Sequence, residues 1–288
     1  MTDQTCRELT VAEPRSRSAL RIAFVGRLGT AASATITRTD PLPQGVCRRL
    51  RATYPLRALE AGNFASPGCH TRQLAESLPG VLATFVPHVV VIWVNDMNGD
   101  TADAAKGSGF YGGVPFAPSG WARRVARLRW IEQQATIVLR LIRAQSSRGK
   151  LRIVPAELTA AFEGRLTRIV QQCSEHGALV VLLTPASRVR RTQSRIGRAR
   201  ACASSVLYMP YLSINGMLDA WQAYDDAIRR VAQATGALLI DTTATVPGDR
   251  RDFVDSSHLS AQGIRRLAEG VGDALCGDKS FRAIVAAV

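Results

Sequence analysis

The chain has 288 residues, 46% hydrophobic and 21% charged, which is enough apolar material for a sizeable core and argues against a disordered segment. The 37 Lys and Arg against 23 Asp and Glu leave a net charge of +14, a statement about anionic ligands or acidic partners and not about fold. Aromatic residues are 6% of the chain and are not interleaved with the Arg-rich runs at 123–129 and 188–200, so a base-stacking nucleic-acid binder is not expected; six scattered cysteines without a CxxC pair fit reduced thiols in a cytoplasmic protein.

Residues 1–19 are polar, of mixed charge, with no apolar run of signal-peptide or membrane-span length, and read as a tail. The first apolar, β-branched-rich run follows at 21–25, the second at 58–63, and the third at 88–94, where His-Val-Val-Val-Ile-Trp-Val is apolar almost without a break, as in a central strand covered on both faces. The segment 98–120 carries Gly107, Gly109, Gly112, Gly113, Pro115 and Pro118, and reads as a rim loop. Helical spacing then occupies 123–143 and 155–176, the second ended by Gly177. A fourth strand at 178–184 leads into an irregular stretch at 187–215, a helix at 217–235 ended by Gly236, and a fifth strand at 237–241. A last helix at 260–275 has Ser260 as its cap. Five strands separated by helices imply a parallel sheet, here one domain at 20–276 with a second tail at 277–288.

Ligands of open α/β sheets sit beyond the carboxyl ends of the strands, which directs attention to 26–33, 63–71, 95–99, 184–187 and 242–258. The last of these holds Asp255 three residues before His258, on a turn entering a helix. An aspartate so placed can accept one imidazole N–H and leave the other ring nitrogen as a base.

With the following Leu259-Ser260-Ala261-Gln262-Gly263, this segment resembles the DxxHLSxxG block of the SGNH/GDSL hydrolase superfamily. Other blocks fall in the family's order over about 20–275. Ala61 to Gly68 resembles the block whose glycine, here Gly68, offers an N–H to an oxyanion, and Val90 to Asp96 resembles GxND, with Asn95 as a side-chain donor, Asp96 after it and Trp93 in place of the usual glycine. The resemblance implies a flavodoxin-like three-layer α/β/α sandwich with a central five-stranded parallel sheet. The first block departs from the pattern: a GDSxT-like motif is replaced by Gly26-Arg27-Leu28-Gly29-Thr30, so Leu28 stands at the nucleophile position and Arg27 is placed to hold a carboxylate or phosphate.

Three readings follow. In the first, Asp255 and His258 form a general base, Asn95 and Gly68 stabilise an oxyanion, and an acyl, ester or carbonyl substrate reacts without a covalent intermediate, by hydrolysis, acyl transfer, cyclisation or proton abstraction. Gly26, Arg27, Leu28, Cys69, His70 and Asp96 would then border the substrate. In the second, a displaced nucleophile, Cys69, Ser66, Ser33 or Thr30, restores covalent chemistry. In the third, the protein binds a ligand or acidic partner without catalysis. Partners expected are a small acyl substrate or one bearing carboxylate or phosphate, and an acidic carrier protein or CoA thioester; no nucleic acid, membrane, metal or cofactor is expected. His88 and His176 read as structural, and Trp93, Trp121, Trp130 and Trp221 as core or pocket wall.

Overall fold

The structure, a computed structural model, describes residues 7–8, 19–26, 42–66, 69–107, 126–152 and 154–288. In chain order its elements are β1 (Arg7–Glu8), β2 (Leu20–Gly26), α1 (Leu42–Thr53), β3 (Leu59–Ala65), α2 (Thr71–Phe85), β4 (Val89–Trp93), α3 (Met97–Gly107) and α4 (Ala126–Ala144). They continue with α5 (Pro155–Glu175), β5 (Leu179–Leu183), α6 (Arg195–Ala201), α7 (Ser205–Tyr208), α8 (Ile214–Thr235), β6 (Leu238–Ile240), α9 (Thr242–Thr245), α10 (Ala261–Gly277) and α11 (Lys279–Ala287).

All pairings in the sheet are parallel, in the order β1-β3-β2-β4-β5-β6. The five expected strands form its body, and the two residues of β1 pair along the edge of β3. Successive strand residues point to opposite faces, and the buried side chains divide accordingly. Ala23, Val25, Val90, Ile92, Val180 and Leu182 pack with α2, α5 and α8 in one cluster. Ile22, Phe24, Val89, Val91, Val181 and Leu183 pack with α1, α10 and α11 in the other. All five residues of β4 are buried, which explains its unbroken apolar run. The result is the three-layer α/β/α sandwich.

From β2 the chain goes outward to β3, then returns past β2 to β4, so strand order reverses between β2 and β4. That reversal opens a crevice at the carboxyl ends of these strands. Gly26 closes β2 with φ +96°, and a Cβ there would lie 2.5 Å from the Trp93 carbonyl oxygen, so the position accepts only glycine without a shift of β4.

Some expectations change. Of the rim loop expected at 98–120, the part up to Gly107 is helical, as α3; residues 108–120 lie outside the described residues. The irregular stretch at 187–215 contains the short helices α6 and α7. The last residues, read as a tail, include α11, whose Phe281 and Val285 are buried, with the Phe281 ring 6.2 Å from that of Tyr54. His88 is structural: its Nδ1 accepts the Arg21 N–H at 3.0 Å, and burial, then the Arg21 charge, lowers its pKa. Among the described residues, no helix is long and apolar enough to cross a membrane.

Candidate active site

Asp255 and His258 lie on a loop that closes on itself before α10. Phe253 and Leu259, both buried, form an antiparallel bridge; Val254 N–H donates to the His258 carbonyl at 2.9 Å, and Ser260 N–H to the Asp252 carbonyl at 2.8 Å. Asp255 folds the tip as an Asx turn, its Oδ1 accepting the N–H groups of Ser257 at 2.9 Å and His258 at 2.8 Å. Its other oxygen, Oδ2, is 2.7 Å from His258 Nδ1. Burial alone would raise the Asp255 pKa, but the hydrogen bond from His258 and those from the two backbone N–H groups bring it below the ordinary value. An ionised Asp255 accepts only, so Nδ1 carries the proton and Nε2 is the ring's acceptor. Among the described residues, Asp255 is the only side chain hydrogen-bonded to the His258 ring.

The loop is pinned to the segment after β5. Buried Ser256 donates its hydroxyl to the Ala201 carbonyl at 2.7 Å and pairs with the Ser204 hydroxyl at 2.6 Å, while Arg188 N–H reaches the Ser256 carbonyl at 2.9 Å. Asp255 and His258 therefore border a cleft of about 310 Å³ whose walls include Trp93, Met97, Met209 and Trp221, with exposed Tyr208 at its side. Asn95, Asn98, Ser204, Ser205 and Ser257 supply polar lining. Asn95 Oδ1 accepts the Met97 N–H at 2.8 Å, which fixes the amide orientation and leaves Nδ2 as a donor for a ligand.

Other expected residues fall elsewhere. Asp96 is buried and ties three elements together: it accepts from Thr71 N–H at 2.9 Å, from the Thr71 hydroxyl and from Arg165 at 3.2 Å, with His70 Nδ1 at 3.6 Å. Asp96 and His70 border a separate hollow with Asp100, Asp103 and Arg165, and share no wall with the cleft. The Cys69 thiol is buried beside the His70 carbonyl at 3.6 Å, and its pKa is raised by burial and then by the Asp96 charge, the reverse of what a thiolate nucleophile needs. Ser66 donates its N–H to the Gly26 carbonyl at 3.0 Å and does not line the cleft; Gly26 ends β2 against Trp93. Arg27, Leu28, Thr30, Ser33 and Gly68 lie outside the described residues, as does Trp121. Trp93 and Trp221 are pocket wall as expected, whereas Trp130 is exposed. Ser204, Ser205, Tyr208 and Met209 were not legible as site residues, because a one-turn helix in an irregular stretch has no period to read.

No protein-family model and no curated protein sequence matches the chain. Solved structures do. An acetylxylan esterase from Geobacillus stearothermophilus superposes with a TM-score of 0.52 at 15% identity, covering 91% of this chain and 96% of that one. An alpha/beta hydrolase from the metagenome of Lake Arreo, Spain, gives 0.51 at 17% identity over 89% and 95%, and TesA gives 0.50 at 17% over 88% and 97%. These likenesses are of fold: the three-layer α/β/α sandwich is shared with these solved structures.

Proposed function

We propose that the protein, with its SGNH-hydrolase fold, is an esterase-type enzyme in which His258, held by Asp255, is the general base. The observation that carries this reading is the 2.7 Å contact between His258 Nδ1 and Asp255 Oδ2 at the wall of the cleft, which leaves Nε2 as an acceptor. The acetylxylan esterase and the Lake Arreo hydrolase, similar in fold, point to the same reaction class.

In the proposed step, Nε2 removes a proton from water or from an acceptor alcohol as its oxygen attacks the ester carbonyl. The carbonyl π electrons move onto oxygen, where Asn95 Nδ2 donates to the developing charge; Gly68 N–H is the second donor that the sequence resemblance implies. The tetrahedral species collapses, the C–O bond to the leaving group breaks, and the departing alkoxide takes the proton back from His258. Arg27, which replaces the Asp or Gly of the family's first block, is assigned to an anionic group of the substrate by the chemistry of its guanidinium. Trp93, Met97, Met209 and Trp221 supply apolar surface for the acyl or alcohol portion.

The test is hydrolysis of an aryl acetate by the intact protein and by His258→Ala, followed by fluorophosphonate and iodoacetamide labelling of the wild type. A loss of about 100-fold or more in the variant, with no labelled residue, supports the base-only mechanism. A single labelled Ser or Cys together with that loss replaces it with a covalent one. Equal rates in both proteins overturn the assignment of His258.

A further inference from the structure

A second cavity, of about 190 Å³, lies where α6 and α8 begin, lined by Gln145, Arg195, Arg198, Ile214 and Asn215. It shares no residue with the catalytic cleft. Among the described residues, none of its lining side chains is acidic. Arg195 and Arg198 are three residues apart on α6 and so project from neighbouring positions on one helix face. Arg195 Nε donates to the neutral Gln145 Oε1 at 3.2 Å.

The start of α8 adds donors to the same space. Ser213 caps this 22-residue helix, its hydroxyl accepting the Gly216 N–H at 3.0 Å and its carbonyl the Met217 N–H at 2.9 Å. The N–H groups of the first two helical residues, Ile214 and Asn215, are among those a helix leaves without an internal acceptor. The adjoining turn is tied to this helix start, the Ser147 hydroxyl donating to the Ser213 hydroxyl at 3.3 Å.

We propose that this cavity binds a phosphate group, free or carried on a ligand. Two guanidinium groups, the neutral amides of Gln145 and Asn215 and the start of α8 surround it with donors from several directions, which suits a multiply charged tetrahedral oxyanion.

The test is calorimetric titration of inorganic phosphate, and separately of glycerol 3-phosphate, at constant ionic strength, into the full-length wild type, Arg198→Gln and Asn215→Asp. Both variants are expected to bind at least about ten-fold more weakly. Asn215→Asp puts a negative charge into the cavity and also favours the helix start electrostatically, so its melting temperature is expected to hold or rise while phosphate affinity falls. That opposition separates a binding role from a structural one. Tighter binding of glycerol 3-phosphate marks a carried phosphate, and equal binding marks the free ion. Phosphate binding no stronger than that of chloride, or unchanged in Asn215→Asp, overturns the proposal. No ester is turned over in these titrations, so the outcome is independent of the proposed esterase activity.

Discussion

Asp255 uses both carboxylate oxygens, one on the backbone of its own turn and one on the His258 ring. Asp255→Asn can keep the turn, through its carbonyl oxygen, but presents an NH₂ to Nδ1. The ring must then accept at Nδ1 and carry its proton on Nε2, the wrong tautomer for a base, so ester hydrolysis is expected to fall by about 10²–10⁴-fold with the loop in place. The same substitution has a stability signature. Because the Asp255 pKa is lowered in the folded protein, its contribution is fully present above the ordinary carboxylate value of about 3.9 and is lost as pH falls through the lower folded value. Denaturant midpoints of wild type and variant are therefore expected to differ most near neutral pH and to converge in acid; a gap that widens toward acid contradicts the charged-pair account. This pair was readable in the sequence because its chemistry is local, three residues apart on a turn. The contacts that hold it were not: Ser204 and Ser256 meet across 52 positions, and neither residue type nor spacing marks them. Cys69 shows the converse, a thiol placed near the site by its motif but held in the core by burial that sequence does not display.

At the scale of elements, the loop that carries Asp255 and His258 depends on how closely α10 approaches it. A Cβ added at Gly263 would run into the Asp252 carbonyl oxygen, the group that accepts the Ser260 N–H. Gly263 has no positive φ, so the need for glycine there is one of space. Gly263→Ala is expected to destabilise the fold by about 1–3 kcal/mol and to lower esterase activity, since the displaced backbone leads directly to Asp255. Chemical denaturation with parallel rate measurements checks it; an alanine variant of wild-type stability and rate would show that the loop has room to move. Ser260 was legible as the cap of α10, and its hydroxyl does accept the Gly263 N–H at 3.2 Å. Five strands were legible because β-branched runs declare themselves, whereas α1 and α2 were not. Pro43 and Gly45 interrupt the first, and Pro79 sits inside the second, so breaker residues mask a period that tertiary packing of Val46, Leu50, Leu74, Leu78 and Leu82 sustains.

Across the whole molecule, the cleft draws Asn95 from the end of β4, Ser204 and Met209 from the segment after β5, Trp221 from α8 and His258 from the loop before α10. These converge only because every strand runs the same way and the order reverses between β2 and β4, which gathers the loops at one edge. The sequence supplies the alternation of strands and helices from which that arrangement follows, but not the distances within it. Net charge is also a property of the whole. Among the described residues, Lys or Arg to carboxylate pairs include Arg49–Asp273, Lys106–Asp103, Arg191–Asp219, Arg229–Asp226, Arg229–Asp241, Arg230–Glu163 and Arg266–Asp252, the last with a buried acid. Exposed pairs contribute about 0–1 kcal/mol each and weaken in salt. Against them stands an excess of +14, whose mutual repulsion acts over the Debye length and is screened by the same salt. The excess is carried on long, mobile side chains, whose mutual repulsion is not relieved by good geometry. The melting temperature is therefore expected to rise as sodium chloride increases from about 10 mM to about 150 mM, the range over which the Debye length shrinks from about 30 Å to about 8 Å. Thermal denaturation in a non-coordinating buffer measures this, and a falling melting temperature would mean that the surface pairs outweigh the repulsion.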